Sequence, residues 1–272
     1  MITIIQQVIA GLITTGILGV LYMRMIKREK SGQIGMPQAL LPIILGIVSE
    51  VVGSRLVVYM MIGMLHSGAT KFNELPVVAR QFLSPFLFAA FPEELFKLIM
   101  IIITLCVFRK KVKNVYEYIL IGAAVGIGFS IAEDYSYASE LASIFIRLPM
   151  LPGHMAMDML MGEFLGIAMY NKKNNAGPVA IFNILAFAVP VILHTLYDAG
   201  STANYMVFEG AANGNNVMLT IGSVYALVVI VGFIVFSFRM IIRFKKNGDK
   251  FDNMMINKVG KTIDFNKIRE EW

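Results

Sequence analysis

Seven stretches of the chain are long enough and apolar enough to cross a bilayer: residues 3–23, 39–64, 81–108, 115–138, 150–170, 178–199 and 217–238. A helix rises about 1.5 Å per residue, so roughly 20 residues cross the hydrocarbon core. Inside that core every backbone N–H and C=O must find a partner within the protein, which leaves helices or closed barrels. The runs are continuous rather than alternating, which excludes a barrel. Composition agrees. The 272 residues are 57% hydrophobic and 15% charged, where a soluble domain carries roughly 25% charge. The expected fold is an all-α, polytopic transmembrane helix bundle.

The charges outside these runs set an expected orientation. Alternate connections hold Arg24, Lys27, Arg28 and Lys30, then Arg109, Lys110, Lys111 and Lys113, then Lys172 and Lys173, then Arg239, Arg243, Lys245 and Lys246. The opposite connections hold only Lys71, Arg80 and Arg147. Basic residues accumulate on the cytoplasmic side, so the N-terminus is expected outside and the C-terminus inside. The net charge of +6 is a topology signal, and no nucleic-acid partner follows from it. The first run has no basic residue before it and reads as an uncleaved helix. Residues 1–244 read as one transmembrane domain, and 245–272 as a polar cytoplasmic tail. Cys106 is the single cysteine; it excludes an internal disulfide and reads as packing. Gly122 and Gly126 form a GxxxG, which points to close helix contact.

Ionisable residues inside the runs are expensive and mark a protein interior or a water-filled cavity. They form four groups: Glu93, Glu94 and Lys97; Glu133 and Asp134; His154 and Asp158; His194 and Asp198. Glu93 and Lys97 are four apart, as are His154 and Asp158, and His194 and Asp198, so each pair shares a helix face. Each histidine therefore has a carboxylate one turn away that can orient its ring. Pro92 precedes the two glutamates, so a kink or break is expected there, with Glu93 and Glu94 in a helix's first turn. The expected topology puts all four groups in the outer half of the bilayer, where a bundle can bring them together. Two histidines and three glutamates meeting there make an acid/base or metal constellation. A structural reading stands beside this one. Glu93 or Glu94 with Lys97 can be a buried ion pair, Asp134 a helix-end residue, and Glu50 with Arg55 a structural pair. Glu163 has no obvious partner, and His66 reads as a solvated loop residue.

These residues resemble the motifs of the PrsW family of intramembrane glutamic proteases, distant relatives of the CAAX prenyl endopeptidases and bacteriocin-immunity membrane proteins. "EELFK" resembles EExxK, and "FSIAEDYSY" resembles FxxxE through Phe129 and Glu133. "RLPMLPGHMAMDMLMG" resembles the family's Arg-to-His-to-Gly stretch, and "HTLYD" its last histidine motif. The resemblance covers about residues 85–200. It implies a multi-pass protein of the bacterial plasma membrane. Such an enzyme cuts a single-span membrane protein, an anti-sigma factor, on the extracytoplasmic side and so starts regulated intramembrane proteolysis. In the CAAX relatives FxxxH and HxxxN stand where this chain has FxxxE and HxxxD. An ionised Asp198 has no proton to donate to an oxyanion.

The expected chemistry is peptide hydrolysis by glutamate-activated water. The catalytic set is Glu93, Glu94, Glu133, His154 and His194, with Glu93 the first choice of base. Lys97, Phe129, Asp134, Asp158 and Asp198 support it, with no metal and no cofactor. His154 and His194 can polarise the carbonyl, protonate the amine or donate to the oxyanion. Three alternatives remain open. Two histidines and a glutamate suffice to ligate zinc, although there is no HExxH. Intramembrane Glu, His and Lys also mark ion-coupled transporters, although no inverted repeat is visible. An immunity-type binding protein on the same fold is the third.

Overall fold

The computed structural model describes residues 2–67, 72–137, 147–201 and 203–256. Lys71 and most of the expected polar tail lie outside the described residues. The chain runs α1 (Ile2–Ile26), α2 (Met36–Ser67), α3 (Val77–Pro85), a π turn (Phe86–Ala90), α4 (Phe91–Val107), α5 (Val115–Tyr137), a 3₁₀ turn (Leu148–Met150), α6 (Pro152–Asn174), α7 (Ala180–Gly200), α8 (Tyr205–Ala212) and α9 (Asn216–Asn253). Among the described residues there is no strand, only an isolated bridge between Asn114 and Met255. Each of the seven expected spans is helical. α1, α2, α5, α9 and the stretch Ala180–Ala212 that contains α7 are long and apolar enough to cross a membrane. The stretch Val77–Val107 and α6 are the other two expected spans. The chain is thus an all-α, multi-pass membrane protein.

α5 is the hub. Of its most apolar window 89% is buried, against 28% or less in the other four candidate spans. It packs on α1, α2 and α6, and glycine makes those contacts close. A Cβ on Gly122 would collide with the carbonyl oxygen of Asp158, and one on Gly126 would lie 2.7 Å from that of His154. On the other side Gly46 of α2 and Gly128 of α5 meet each other's backbones in the same way. The expected close packing at GxxxG is present, and it presses the backbone bearing His154 and Asp158 against α5. The outer faces of α1, α2, α7 and α9 expose large apolar side chains such as Leu12, Leu40, Ile184 and Leu227, as contact with acyl chains requires.

Several local expectations are revised. The chain does not break at Pro92. The π turn just before it absorbs the misfit, and α4 continues with Pro92 in its first turn and Glu93 and Glu94 beside it. His66 lies in α2 rather than in a loop. Glu50 and Arg55 make no ion pair; five residues apart on one helix, they point about 140° away from each other. Glu163 does have a partner, a two-pronged ion pair with Arg243 of α9 at 2.5 Å. Cys106 is exposed rather than packed. α9 carries on past residue 244 to Asn253.

The Lys/Arg-rich connections meet at one end of the bundle. There Asn114 bonds Glu29 at 3.4 Å and Asp252 at 3.3 Å, and Asn174 donates to the Met255 carbonyl at 3.1 Å. At the far end Gln81 of α3 is bonded to the Ala199 carbonyl and the Asn204 side chain, anchoring α3 to the end of α7. Gly122→Leu and Gly126→Leu are expected to cost about 3 kcal/mol or more each by overpacking, read as loss of monodisperse protein and a lower melting temperature in detergent. Gly16→Ala, with nothing within 4 Å of its added Cβ, is expected to be neutral or slightly stabilising.

Candidate active site

Four helices converge on one polar cluster away from the basic end. α4 brings Glu93, Glu94 and Lys97, α5 brings Phe129, Glu133 and Asp134, α6 brings His154 and Asp158, and α7 brings His194 and Asp198. All four ionisable groups expected from the sequence therefore meet. The π turn and Pro92 place Glu93 and Glu94 at the start of α4.

The closed half of the cluster is centred on Lys97. Glu94, Lys97 and Asp158 are fully buried. Lys97 Nζ lies 2.5 Å from Glu94 Oε1, 3.1 Å from His154 Nδ1 and 4.0 Å from Asp158 Oδ1. It also sits over the Phe129 ring, 4.2 Å from its centroid. An ammonium only donates, so His154 Nδ1 accepts and Nε2 carries the ring proton. That nitrogen lies 2.9 Å from Glu133 Oε2. His194 is held differently. Its Nδ1 donates to Glu94 Oε1 at 2.8 Å, and its Nε2 faces Asp198 Oδ2 at 3.3 Å and Glu93 Oε2 at 3.8 Å. The two imidazoles are edge to face, with centroids 5.1 Å apart.

The open half contains Glu93, Glu133, His154 and Asp198, whose side chains retain 20%, 18%, 13% and 11% of their exposure. Glu133 and Asp134 are clamped by Arg147, at 2.9 Å and 2.7 Å, and Thr14 of α1 donates to Asp134 at 2.7 Å. A cavity of about 20 Å³, lined by Ser130, Glu133, Arg147 and His154 among others, adjoins them. That is room for about one water molecule.

The i,i+4 expectation holds for one histidine and not for the other. Asp198 faces His194, but Asp158 faces Lys97, and His154 is oriented by Lys97 and Glu133 from other helices. Asp158 is the more distant because α6 turns its carboxylate toward α4, where a buried ammonium outcompetes a ring N–H. Asp134 acts through Arg147, next to the reacting groups rather than among them. Arg147 opens the Arg-to-His-to-Gly stretch, but sequence reasoning gave it no role in the site beyond the topology count. Its signal was available, since a cation on the face depleted of cations asks for a specific partner.

Glu94, His154 and His194 can each bring a ligand atom within 4.8 Å of the other two, and two imidazoles with a carboxylate are a zinc-type donor set. Lys97, however, already bonds Glu94 Oε1 and His154 Nδ1. A divalent ion shared by all three would lie beside a buried ammonium, in a region where like charges repel strongly. As arranged here, the trio does not fit a metal; Lys97 supplies its positive charge.

The family model described as PrsW family intramembrane metalloprotease matches residues 41–236, which include every residue of this cluster except Thr14. No curated protein and no solved structure matches the chain significantly. Lys97→Met is expected to destabilise the protein by about 3–5 kcal/mol, because Glu94 and Asp158 lose their only buried cation. Adding Glu94→Gln and Asp158→Asn should restore much of the loss. Thermal unfolding of the purified variants in detergent checks both statements.

Proposed function

The chain belongs to the PrsW family of intramembrane proteases, and from that premise we propose that it hydrolyses a peptide bond of a single-span membrane protein with a glutamate-activated water. Glu93 is the base. The observation that carries this is its freedom. Glu94 Oε1 is bonded to both Lys97 and His194, and Glu133 Oε2 lies 2.9 Å from both Arg147 and His154. Among the described residues Glu93 has one ion-pair contact, His194 Nε2 at 3.8 Å, and it keeps 20% of its exposure. A carboxylate with a cation against it is a weak proton acceptor, whereas one without such a cation in a partly dry site is a better base.

Glu93 takes a proton from water, and the hydroxide adds to the scissile carbonyl carbon. His154, whose Nε2 lies 2.9 Å from Glu133 Oε2, donates to the oxyanion. The proton on Glu93 passes through His194, flanked by Glu94 and Asp198, to the nitrogen as the C–N bond breaks. The products are a carboxylate terminus and an amine. Asp198 orients His194 in this scheme and donates nothing itself.

A second reading, a zinc-dependent protease, is favoured by the family's description and by the Glu94, His154 and His194 donor set. It requires Lys97 to leave that set. Hydrolysis of a reconstituted single-span substrate separates the two. Glu93→Gln should remain folded and lose about 10²-fold or more of its rate, on the scale of general-base removal, while wild-type activity survives a strong chelator. Activity that follows zinc stoichiometry, or near-normal turnover by Glu93→Gln, would overturn the glutamate assignment.

The basic end of the bundle is the cytoplasmic end in this proposal, in a bacterial plasma membrane, so the cluster opens toward the extracytoplasmic side. Resemblance to the family makes an anti-sigma factor the favoured substrate. In a Cys106→Ser background, Asn213→Cys in the α8–α9 turn should react with an impermeant maleimide outside intact cells, and Asn175→Cys in the α6–α7 turn should not. The reverse pattern would place the cut on the cytoplasmic side.

A further inference from the structure

A second cavity, of about 470 Å³, lies at the basic end of the bundle and belongs to none of the chemistry above. The end of α4, the start of α5, the last turns of α6 and the first turn of α7 enclose it, and Ile256 closes one side. Its depth is apolar, formed by side chains such as Ile102, Leu105 and Leu165. Its rim carries Arg109, Lys172 and Lys173, all exposed, and none of its lining residues is acidic. Among the described residues none of these three cations has an ion-pair partner, although the chain pairs cations such as Lys30, Arg80 and Arg243.

We propose that this cavity binds one anionic phospholipid, its headgroup phosphate on Arg109, Lys172 and Lys173 and one acyl chain in the apolar depth between α4, α6 and α7. The order of the lining matches that molecule along the membrane normal. The apolar residues lie on the membrane-spanning turns, and the cations lie where the helices end. Basic pockets between transmembrane helices are suited to anionic headgroups, and each cation near the surface contributes about fivefold to such binding. Soluble phosphate alone would leave the apolar depth unfilled.

Cys106, the chain's single cysteine, lines this cavity and reports on its occupancy. The test labels Cys106 with an uncharged maleimide in nanodiscs, where both faces are open to the reagent. One set is phosphatidylcholine alone, and the other contains about one third phosphatidylglycerol. Phosphatidylglycerol should slow labelling at least fivefold, and native mass spectrometry should find one retained phosphatidylglycerol. The variant Arg109→Gln/Lys172→Gln/Lys173→Gln should lose both effects. Equal labelling in the two lipids, or protection that the triple variant keeps, would overturn the proposal. So would protection in both lipids that disappears from a chain ending at Ile256, which would give the cavity to the chain's own C-terminal segment. None of these outcomes depends on the proteolytic reading.

Discussion

A fully buried ammonium is the constraint on which the rest of this site depends. Lys97 cannot lose its hydration without replacement partners, and it finds them on its own helix and two others: Glu94 one turn back, His154 and Asp158 across on α6, and the face of Phe129 on α5. Each partner brings its helix to a fixed distance. The lysine also decides which nitrogen of His154 carries the proton, leaving it on the nitrogen nearer Glu133. One cation thus sets both the packing of three helices and the hydrogen-bond polarity of the groups nearest the opening.

The cluster divides its charges by accessibility. Glu94, Lys97 and Asp158 are sealed and neutralise one another at depth. Glu93, Glu133, His154 and Asp198 face the opening. Adjacent carboxylates with the same sequence context therefore have different work. Glu94 is tied to a lysine and a histidine, and Glu93, one residue away and turned by about 100° on the helix, faces the opening, where the proposed mechanism has it act on water. Arg147 and Thr14 extend the arrangement outward to α1, so the first helix supports the site without contributing a reacting group.

The fold was readable because hydrocarbon allows few solutions: seven long apolar runs mean seven helices. The grouping of Glu93, Glu133, His154 and His194 was readable because charge is costly at depth and all four lay at matching depth. Helical spacing alone identified Asp198 as the partner of His194. It failed for Asp158, because sharing a face on one helix says nothing of what a neighbouring helix presents. It also failed for Glu163 and Arg243, eighty residues apart, and for Arg147, whose partners come from another helix. The glycines show the same limit from the other side. GxxxG announced a close contact on α5, but not that the carbonyls of His154 and Asp158 would be the surfaces it met.

The π turn at Phe86–Ala90 has a consequence for how this site is phased. A π turn holds one more residue per hydrogen-bonded loop than an α-helix does, so it acts as a one-residue phase shifter between α3, anchored through Gln81, and the start of α4. A regular helix through this point would rotate everything beyond it by about 100°. Glu93 and Glu94 would swing off the face shared with His194, and Lys97 would leave Phe129. The angular position of the whole polar array is therefore stored in five apolar residues, "FLFAA", none of which carries a charge or touches water chemistry.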